Sequence, residues 1–462
     1  MSSQAVVEQF QKNKKSYLTR IKELVAIPSV SFAGFDQKEV ERCAFAVRDQ
    51  VQDSGFENIE LIYIEDNHRP YVYADWLHAP GAPTLLLYAH YDVQPPGNPE
   101  SWESPAFVAT ERNERLYGRG AADDKGGLMV HLATVQSWLS ATGKLPINVK
   151  LLIEGEEESG SDCLDQLLEQ YGQKLQADVI IIPDVENFDE TTPGLTVSLR
   201  GIVAAQLEIT ALRQPLHSGM WGGAVPDPAA AMCKVLSTLI DDKGEIAIPA
   251  IREMAPRLTN QQREELASLP LNEEHLRRDA GLLRDVSILG DPRRYRERIW
   301  FCPALTINGV QASARSQASN IICDKAWAKV SIRTVSPMDK EQVFNALKEF
   351  IEQQRPFGLK VEVREDGLGD GWTTSLDDPA MKAMIRALEK AWGVAPIKMG
   401  CGGSIPFVKQ FSDALNGAPA LLIGVEDPQS RAHSANESLG LAGWEKSVIS
   451  CIYLFEELSN KA

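Results

Sequence analysis

Five separated stretches of the chain carry side chains able to bind a metal ion or move a proton. The first is Tyr88-Ala89-His90-Tyr91-Asp92-Val93, directly after the apolar run at 84–88. His90 and Asp92 are two residues apart, so in extended chain both face one side. A metal-bound imidazole needs its second ring nitrogen held, commonly by a carboxylate, and Asp92 is a good candidate. A turn histidine with a capping aspartate is the plainer alternative. The second stretch is Gly118-Arg119-Gly120-Ala121-Ala122-Asp123-Asp124-Lys125-Gly126-Gly127, two acids in a glycine-rich loop that leads into a helix. An Asp at such a point ordinarily serves as an N-cap. The third is Leu151-Leu152-Ile153-Glu154-Gly155-Glu156-Glu157-Glu158-Ser159-Gly160. Acid runs usually coat a solvated face. This one follows an apolar strand at once, and crowding like charges there is costly unless a cation neutralises them. The fourth is Pro183-Asp184 behind the apolar run 179–182, and the fifth is Arg431-Ala432-His433-Ser434-Ala435-Asn436-Glu437. Taken alone, a surface loop explains either of these two.

Together they point further. In open α/β sheets, ligands gather at the carboxyl ends of strands. Carboxylates and imidazoles without a thiolate suit Zn²⁺ or Mn²⁺ in a two-metal hydrolase. Two ions roughly 3.5–4 Å apart need a shared carboxylate, which one Asp supplies with its two oxygens.

The elements that must position these residues follow from periodicity. Val7, Phe10, Tyr17, Leu18, Ile21, Leu24 and Val25 recur at helical spacing, and a second helix is expected at about 37–54. Apolar runs at 60–64, 71–76, 84–88, 147–153 and 178–182 read as strands, with a helix at 126–139 between the third and fourth. Continuous rather than alternating apolar runs suit strands buried on both faces. Strands alternating with helices favour a largely parallel sheet. After Gly194 the character changes. Residues 196–210 alternate in β fashion with a break at Arg200-Gly201, a helix follows at about 227–242, and 250–300 is charged and hard to assign. A strand at 326–334, a helix at about 338–354 and a strand at 360–364 complete an insert spanning 198–373. The α/β style then returns, with a helix at 378–392, a strand at 419–424 and a final helix at 441–459. One α/β domain, 1–197 plus 374–462, is interrupted by a second, 198–373.

Composition sets the bounds. The 462 residues are 44% hydrophobic and 24% charged, as in ordinary globular chains. With Lys plus Arg at 47 and Asp plus Glu at 64, the formal charge is −17, and no basic run offers nucleic acid a face. The 7 cysteines form no C-x-x-C pair, so reduced thiols in a cytoplasmic compartment are expected. The N-terminal residues lack the pattern of a signal peptide, and no apolar run approaches the roughly 20 residues of a membrane helix.

The ordered motifs YAHYDV, GRGAADDKGG, EGEEESGS, IIPD and AHSANE resemble those of the co-catalytic zinc peptidases of the aminoacylase/carnosinase superfamily. GGSIP at 402–406 narrows the resemblance to the carnosinase and cytosolic non-specific dipeptidase branch, and the likeness covers nearly the whole chain. It implies a mainly parallel-sheet catalytic domain and a smaller α+β, ferredoxin-like lid and dimerisation domain. It also implies two divalent metal ions, Zn²⁺ first with Mn²⁺ or Co²⁺ as alternatives. His90, Asp123 and Asp184 would hold one ion. Asp123, Glu158 and His433 would hold the other. Glu157 would be the general base and Asp92 the support of His90, and the Asp123–Asp124 peptide is expected to be cis. In the insert, His217 would be an oxyanion donor reaching a partner subunit's site in a homodimer, with Asn320 a further oxyanion candidate. Arg333 would clamp the substrate carboxylate, helped by Gly403 and Ser404. Relatives often carry Arg-Glu before GGSIP, whereas this chain has Gly400-Cys401. The implied reaction is hydrolysis of the amide bond of a dipeptide. The rivals are an N-acyl amino acid deacylase, a transferase on the same site, and a non-catalytic metal-binding scaffold.

Overall fold

In the computed structural model, which describes residues 3–64, 68–271, 273–403 and 406–459, the chain forms two compact units. The first comprises Met1–Val197, Thr374–Met399 and Gln410–Ala462, and the second Ser198–Thr373 and Gly400–Lys409. The sequence placed 400–409 in the first domain. The structure groups it with the insert, because Arg200 holds this segment: its backbone N–H donates to Cys401 and Gly403 carbonyls and its Nε to that of Gly402.

The first unit is built on a mixed sheet. Its strands run in the order Glu57–Ile62, Tyr71–Trp76, Asn148–Glu154, Thr84–His90, Val179–Glu186, Ala420–Glu426 and Gly194–Leu199. The four central strands, Asn148–Glu154 through Ala420–Glu426, are mutually parallel. Antiparallel partners flank them on both sides. Ala420–Glu426 is buried at every position, and Thr84–His90 at all but the first, which is why these runs are continuously apolar. Helix Lys125–Thr142 is apolar almost all round, and Ser3–Val25 and Leu441–Ser459 pack against it. The Trp444 indole donates to the Gly126 carbonyl at 3.1 Å, and the fully buried Lys125 ammonium donates to the carbonyls of Leu24 and Ile27.

The second unit has its own sheet, in the order Ala304–Gln311, Lys325–Thr334, Gly201–Thr210 and Glu362–Gly369, antiparallel throughout. Helices Pro228–Leu236 and Lys340–Gln354 cover one face. The chain order is therefore the β-α-β-β-α-β of a ferredoxin-like fold. Lys325–Thr334 alternates buried and half-buried residues, as one covered face requires. The span 250–300, which periodicity left unassigned, holds short helices at Pro249–Met254, Asn260–Ser268, Glu273–Asp279 and Tyr295–Phe301. Among the described residues no helix is long and apolar enough to cross a membrane.

Candidate metal centre

Because the central strands are parallel, their carboxyl ends lie at one edge of the first unit's sheet. His90 ends its strand in register with Glu154, Asp184 stands near the end of the next strand and Glu426 at the end of the one beyond. His90 is fully buried, with Nε2 3.0 Å from Asp123 Oδ1, 3.8 Å from Asp184 Oδ2 and 4.0 Å from Glu157 Oε2. His433 approaches from the opposite side, with Nε2 2.9 Å from Asp123 Oδ2 and 3.2 Å from Glu158 Oε2. Asp123 thus has an imidazole at each carboxylate oxygen.

Asp92 organises the His90 side. Its Oδ1 is 3.3 Å from His90 Nδ1, and its two oxygens accept the backbone N–H groups of Glu157 and Glu158 at 3.2 and 3.1 Å. Asp92 therefore orients an imidazole, through its carbonyl oxygen at 3.1 Å as well as its carboxylate, and the acidic turn together. Gln94, which sequence reasoning missed, donates to Glu158 from its backbone N–H and its amide. The Asp123–Asp124 peptide is cis. Asp124, also outside the expected ligand set, lies with His90 and Asp184 so that ligand atoms are within 4.8 Å of one another; Asp123, Glu158 and His433 form a second such group, and Asp123, Asp184 and Glu426 a third. Asp124 uses Oδ2 to accept the His90 backbone N–H, while a Cβ at Gly127 would fall 1.9 Å from its Oδ1. That close approach explains a glycine inside the first turn of a helix.

So many buried acids demand positive charge. Burial raises Glu157 to about 8 against the opposing charge of His90, with Glu158 and Asp123 adding to the rise. Burial likewise lifts Asp184 well above the usual carboxylate range. Burial would lift Asp123 too, but hydrogen bonds from His433 and His90 hold it well below that range. His433 is raised to about 11 by Asp123 and Glu158. Burial works against charge on His90, yet Asp123 and Asp92 raise it well above its ordinary value. The two imidazoles and the acids face one another where cations fit, and the donors are nitrogen and carboxylate oxygen with no thiolate among them. This set suits divalent ions of the zinc or manganese kind.

The other expected residues belong to the second unit. His217 is exposed on the Leu216–His217 strand, paired with Ile321–Ile322. Its Nδ1 accepts the Gly219 N–H at 3.1 Å, so the neutral ring carries its hydrogen on Nε2. The Asn320 carbonyl accepts the Ser218 N–H, so Asn320 and His217 are neighbours. Arg333 lies elsewhere, in a depression on the open sheet face with Ile202, Asn308, Lys329 and Asp366. Its charge acts on Arg200, whose guanidinium is held low by burial first and Arg333 second. Gly403 is linked to Arg200 by a hydrogen bond at 3.2 Å, while Ser404 lies outside the described residues. At Gly400 a Cβ would sit 2.5 Å from Trp300 Cβ, so a side chain there has no room unless Trp300 shifts.

An α/β sheet whose parallel strand ends converge imidazoles and carboxylates on one shared aspartate defines the class of binuclear metal hydrolases. The chain matches the family model described as peptidase family M20/M25/M40 over residues 86–461, and it belongs to that family of metallopeptidases. It is 33% identical to the cysteinylglycine-S-conjugate dipeptidase of Corynebacterium striatum, covering 78% of this chain and 77% of that one. It is 30% identical to the Cys-Gly metallodipeptidase of Schizosaccharomyces pombe, covering 99% and 98%. Among solved structures, the dipeptidase Dug1p of Saccharomyces cerevisiae superposes with a TM-score of 0.84 at 28% identity, covering 99% of each chain.

Proposed function

We propose that the chain hydrolyses the amide bond of dipeptides, using two divalent cations and Glu157 as general base. The observation that carries this reading is Asp123 with His90 on one oxygen and His433 on the other, while Glu157 stands 4.0 Å from His90. His90, Asp123 and Asp184 would hold one cation, and Asp123, Glu158 and His433 the second. Bound there, such ions (Zn²⁺ first, Mn²⁺ or Co²⁺ as alternatives) lower the pKa of water and polarise a carbonyl. Glu157 takes a proton from the attacking water and delivers it to the leaving amine nitrogen. Asp92 keeps Glu157 and His90 in register through its contacts to both.

The second unit supplies the rest. His217, its Nδ1 engaged by Gly219, offers an Nε2–H to the developing oxyanion, with Asn320 beside it. Arg333, with Gly403 and Ser404, takes the substrate carboxylate, a planar task suited to guanidinium. This unit acts as lid and dimerisation domain of a homodimer whose His217 serves the partner's site. Two relatives named for action on Cys-Gly or its S-conjugates support a dipeptide substrate. Seven cysteines, none in a disulfide, support a cytoplasmic setting.

The test is a dipeptide library assayed with Zn²⁺, Mn²⁺ and Co²⁺ in parallel, with an N-acetyl amino acid alongside. Cleavage of free dipeptides is expected. Cleavage of the N-acetyl amino acid alone would make the chain a deacylase, and cation binding without any hydrolysis would make it a scaffold.

A further inference from the structure

Of the AHSANE motif, the proposed chemistry uses His433 alone. The last residue of the motif, Glu437, is fully buried, and its carboxylate is saturated with donors. Oε2 accepts from Arg119 Nη1 at 2.6 Å and from the Gly120 N–H at 3.0 Å. Oε1 accepts from the Ala122 N–H at 3.0 Å and from the N–H of Asp123 itself at 3.2 Å. The same residue's carbonyl oxygen accepts the Gly118 N–H at 3.0 Å. One glutamate therefore grips the 118–123 loop along its length and ends on the residue that both imidazoles touch.

The loop that carries Glu437 also carries His433. Arg431, His433 and Asn436 all have positive φ, at 54°, 64° and 63°, a region uncommon for non-glycine residues though less so for His and Asn. Two clasps hold the loop. The Ser438 N–H donates to the Ser430 carbonyl at 2.8 Å, closing the loop at its base. Arg119 Nη2 donates to the Ser434 carbonyl at 3.3 Å while Nη1 holds Glu437. The Arg119–Glu437 pair thus fastens the His433 loop to the Asp123 loop, and the 2.9 Å approach of His433 to Asp123 lies between the fastened points.

We infer that Glu437 is a positioning residue that sets the separation of Asp123 and His433, and so selectively builds the cation position those two share with Glu158. This rests on the two-cation reading above. The other position shares Asp123, which His90 also holds at 3.0 Å, but its remaining members, His90 and Asp184, sit on strands, with His90 further held by Asp92 and neither by Glu437. Loss of the Glu437 carboxylate should therefore weaken one cation and largely spare the other. Groups that orient metal ligands typically contribute roughly 10–100-fold to metal affinity.

The experiment is equilibrium dialysis of the full chain against Zn²⁺, with bound metal counted per chain and folding checked by circular dichroism. The wild type should bind two ions, and His433→Ala should lose one. If either fails, the two-cation reading falls and this inference with it. If both hold, Glu437→Gln should keep one ion at wild-type affinity and bind the second about 10–100-fold more weakly. His433→Ala combined with Glu437→Gln should be no worse than His433→Ala alone, because both act at one position. Should Glu437→Gln fail to fold, Glu437→Asp decides instead. It keeps the charge opposite Arg119 but draws the carboxylate back from the Ala122 and Asp123 N–H groups, and should show the same one-sided loss in milder form. A folded variant that binds both ions normally, or loses both equally, overturns the inference.

Discussion

At the scale of single residues, Glu157 and Glu158 are adjacent yet differ in what they touch. Glu158 is held by Gln94 and meets His433, whereas Glu157 points toward His90 from 4.0 Å. Their separate tasks predict separate phenotypes. Glu157→Gln should retain two bound ions and lose roughly 10²–10⁴-fold in kcat, the usual cost of removing a general base. Metal analysis and steady-state rates on one dipeptide check this; loss of an ion would mean that the two glutamates exchange roles. The candidate ligands His90, Asp123, Glu158, Asp184 and His433 all fall within the five motifs, and it was the family resemblance of those motifs in order, not any one of them alone, that implied the ligand set. Glu437, Gln94 and Arg200 were not singled out, since their partners lie far along the chain and only folding brings them together. Glu437 binds a loop more than three hundred residues earlier in the chain. Its place inside a quoted motif was the one available signal.

At the scale of elements, parallel strand ends gather acids close together. Burial raises Glu154 to about 7 and Glu157 to about 8. A carboxyl so raised binds its proton more tightly in the native chain than in the unfolded one. Its stabilising contribution is complete below the ordinary value of 4.5 and is lost as pH rises through about 7 and 8. His433, raised to about 11 by Asp123 and Glu158, acts in the same direction above its ordinary 6.5. Asp123, held low, loses its contribution only in acid. Chelated protein should therefore melt at progressively lower temperature between about pH 5 and 8, and added Zn²⁺ should flatten the trend. A chelated Tm that stays level or climbs over this range would refute the assignment. The helix that follows Asp124 yields a second prediction. Gly127→Ala places a Cβ 1.9 Å from Asp124 Oδ1 and 2.4 Å from the Pro183 carbonyl, so it should cost about 1–3 kcal/mol in denaturant unfolding. Strands and helices of the first unit were readable where one apolar run or one helical stripe dominates, as in Tyr71–Trp76 and Leu441–Ser459. The helices between 249 and 301 were not, because they are short and mostly solvent-facing, and strand Ala304–Gln311 was missed because it is largely exposed.

At the scale of the molecule, the proposed division of labour assigns the cations to one unit and His217 to the other. Subunit mixing tests whether His217 serves its own chain's site or a partner's. An inactive His217→Ala chain exchanged with an inactive Glu157→Gln chain should regain activity if His217 works across a dimer, since one site of each mixed pair then has both residues intact. Continued inactivity despite confirmed exchange would assign His217 to its own chain. The order of the chain carries a further consequence. Ala420–Glu426 lies between Val179–Glu186 and Gly194–Leu199 in the sheet, and His433 and Glu437 follow it. A ribosome making this protein therefore delivers His90, Asp123, Glu158 and Asp184 early, while an interior strand of the same sheet has not yet been synthesised. The nascent polypeptide must carry that gap through the whole of the second unit, which has a sheet of its own to complete meanwhile. Under the two-cation reading, the position that uses His433 can fill only after the segment following Ala420–Glu426 has left the exit tunnel.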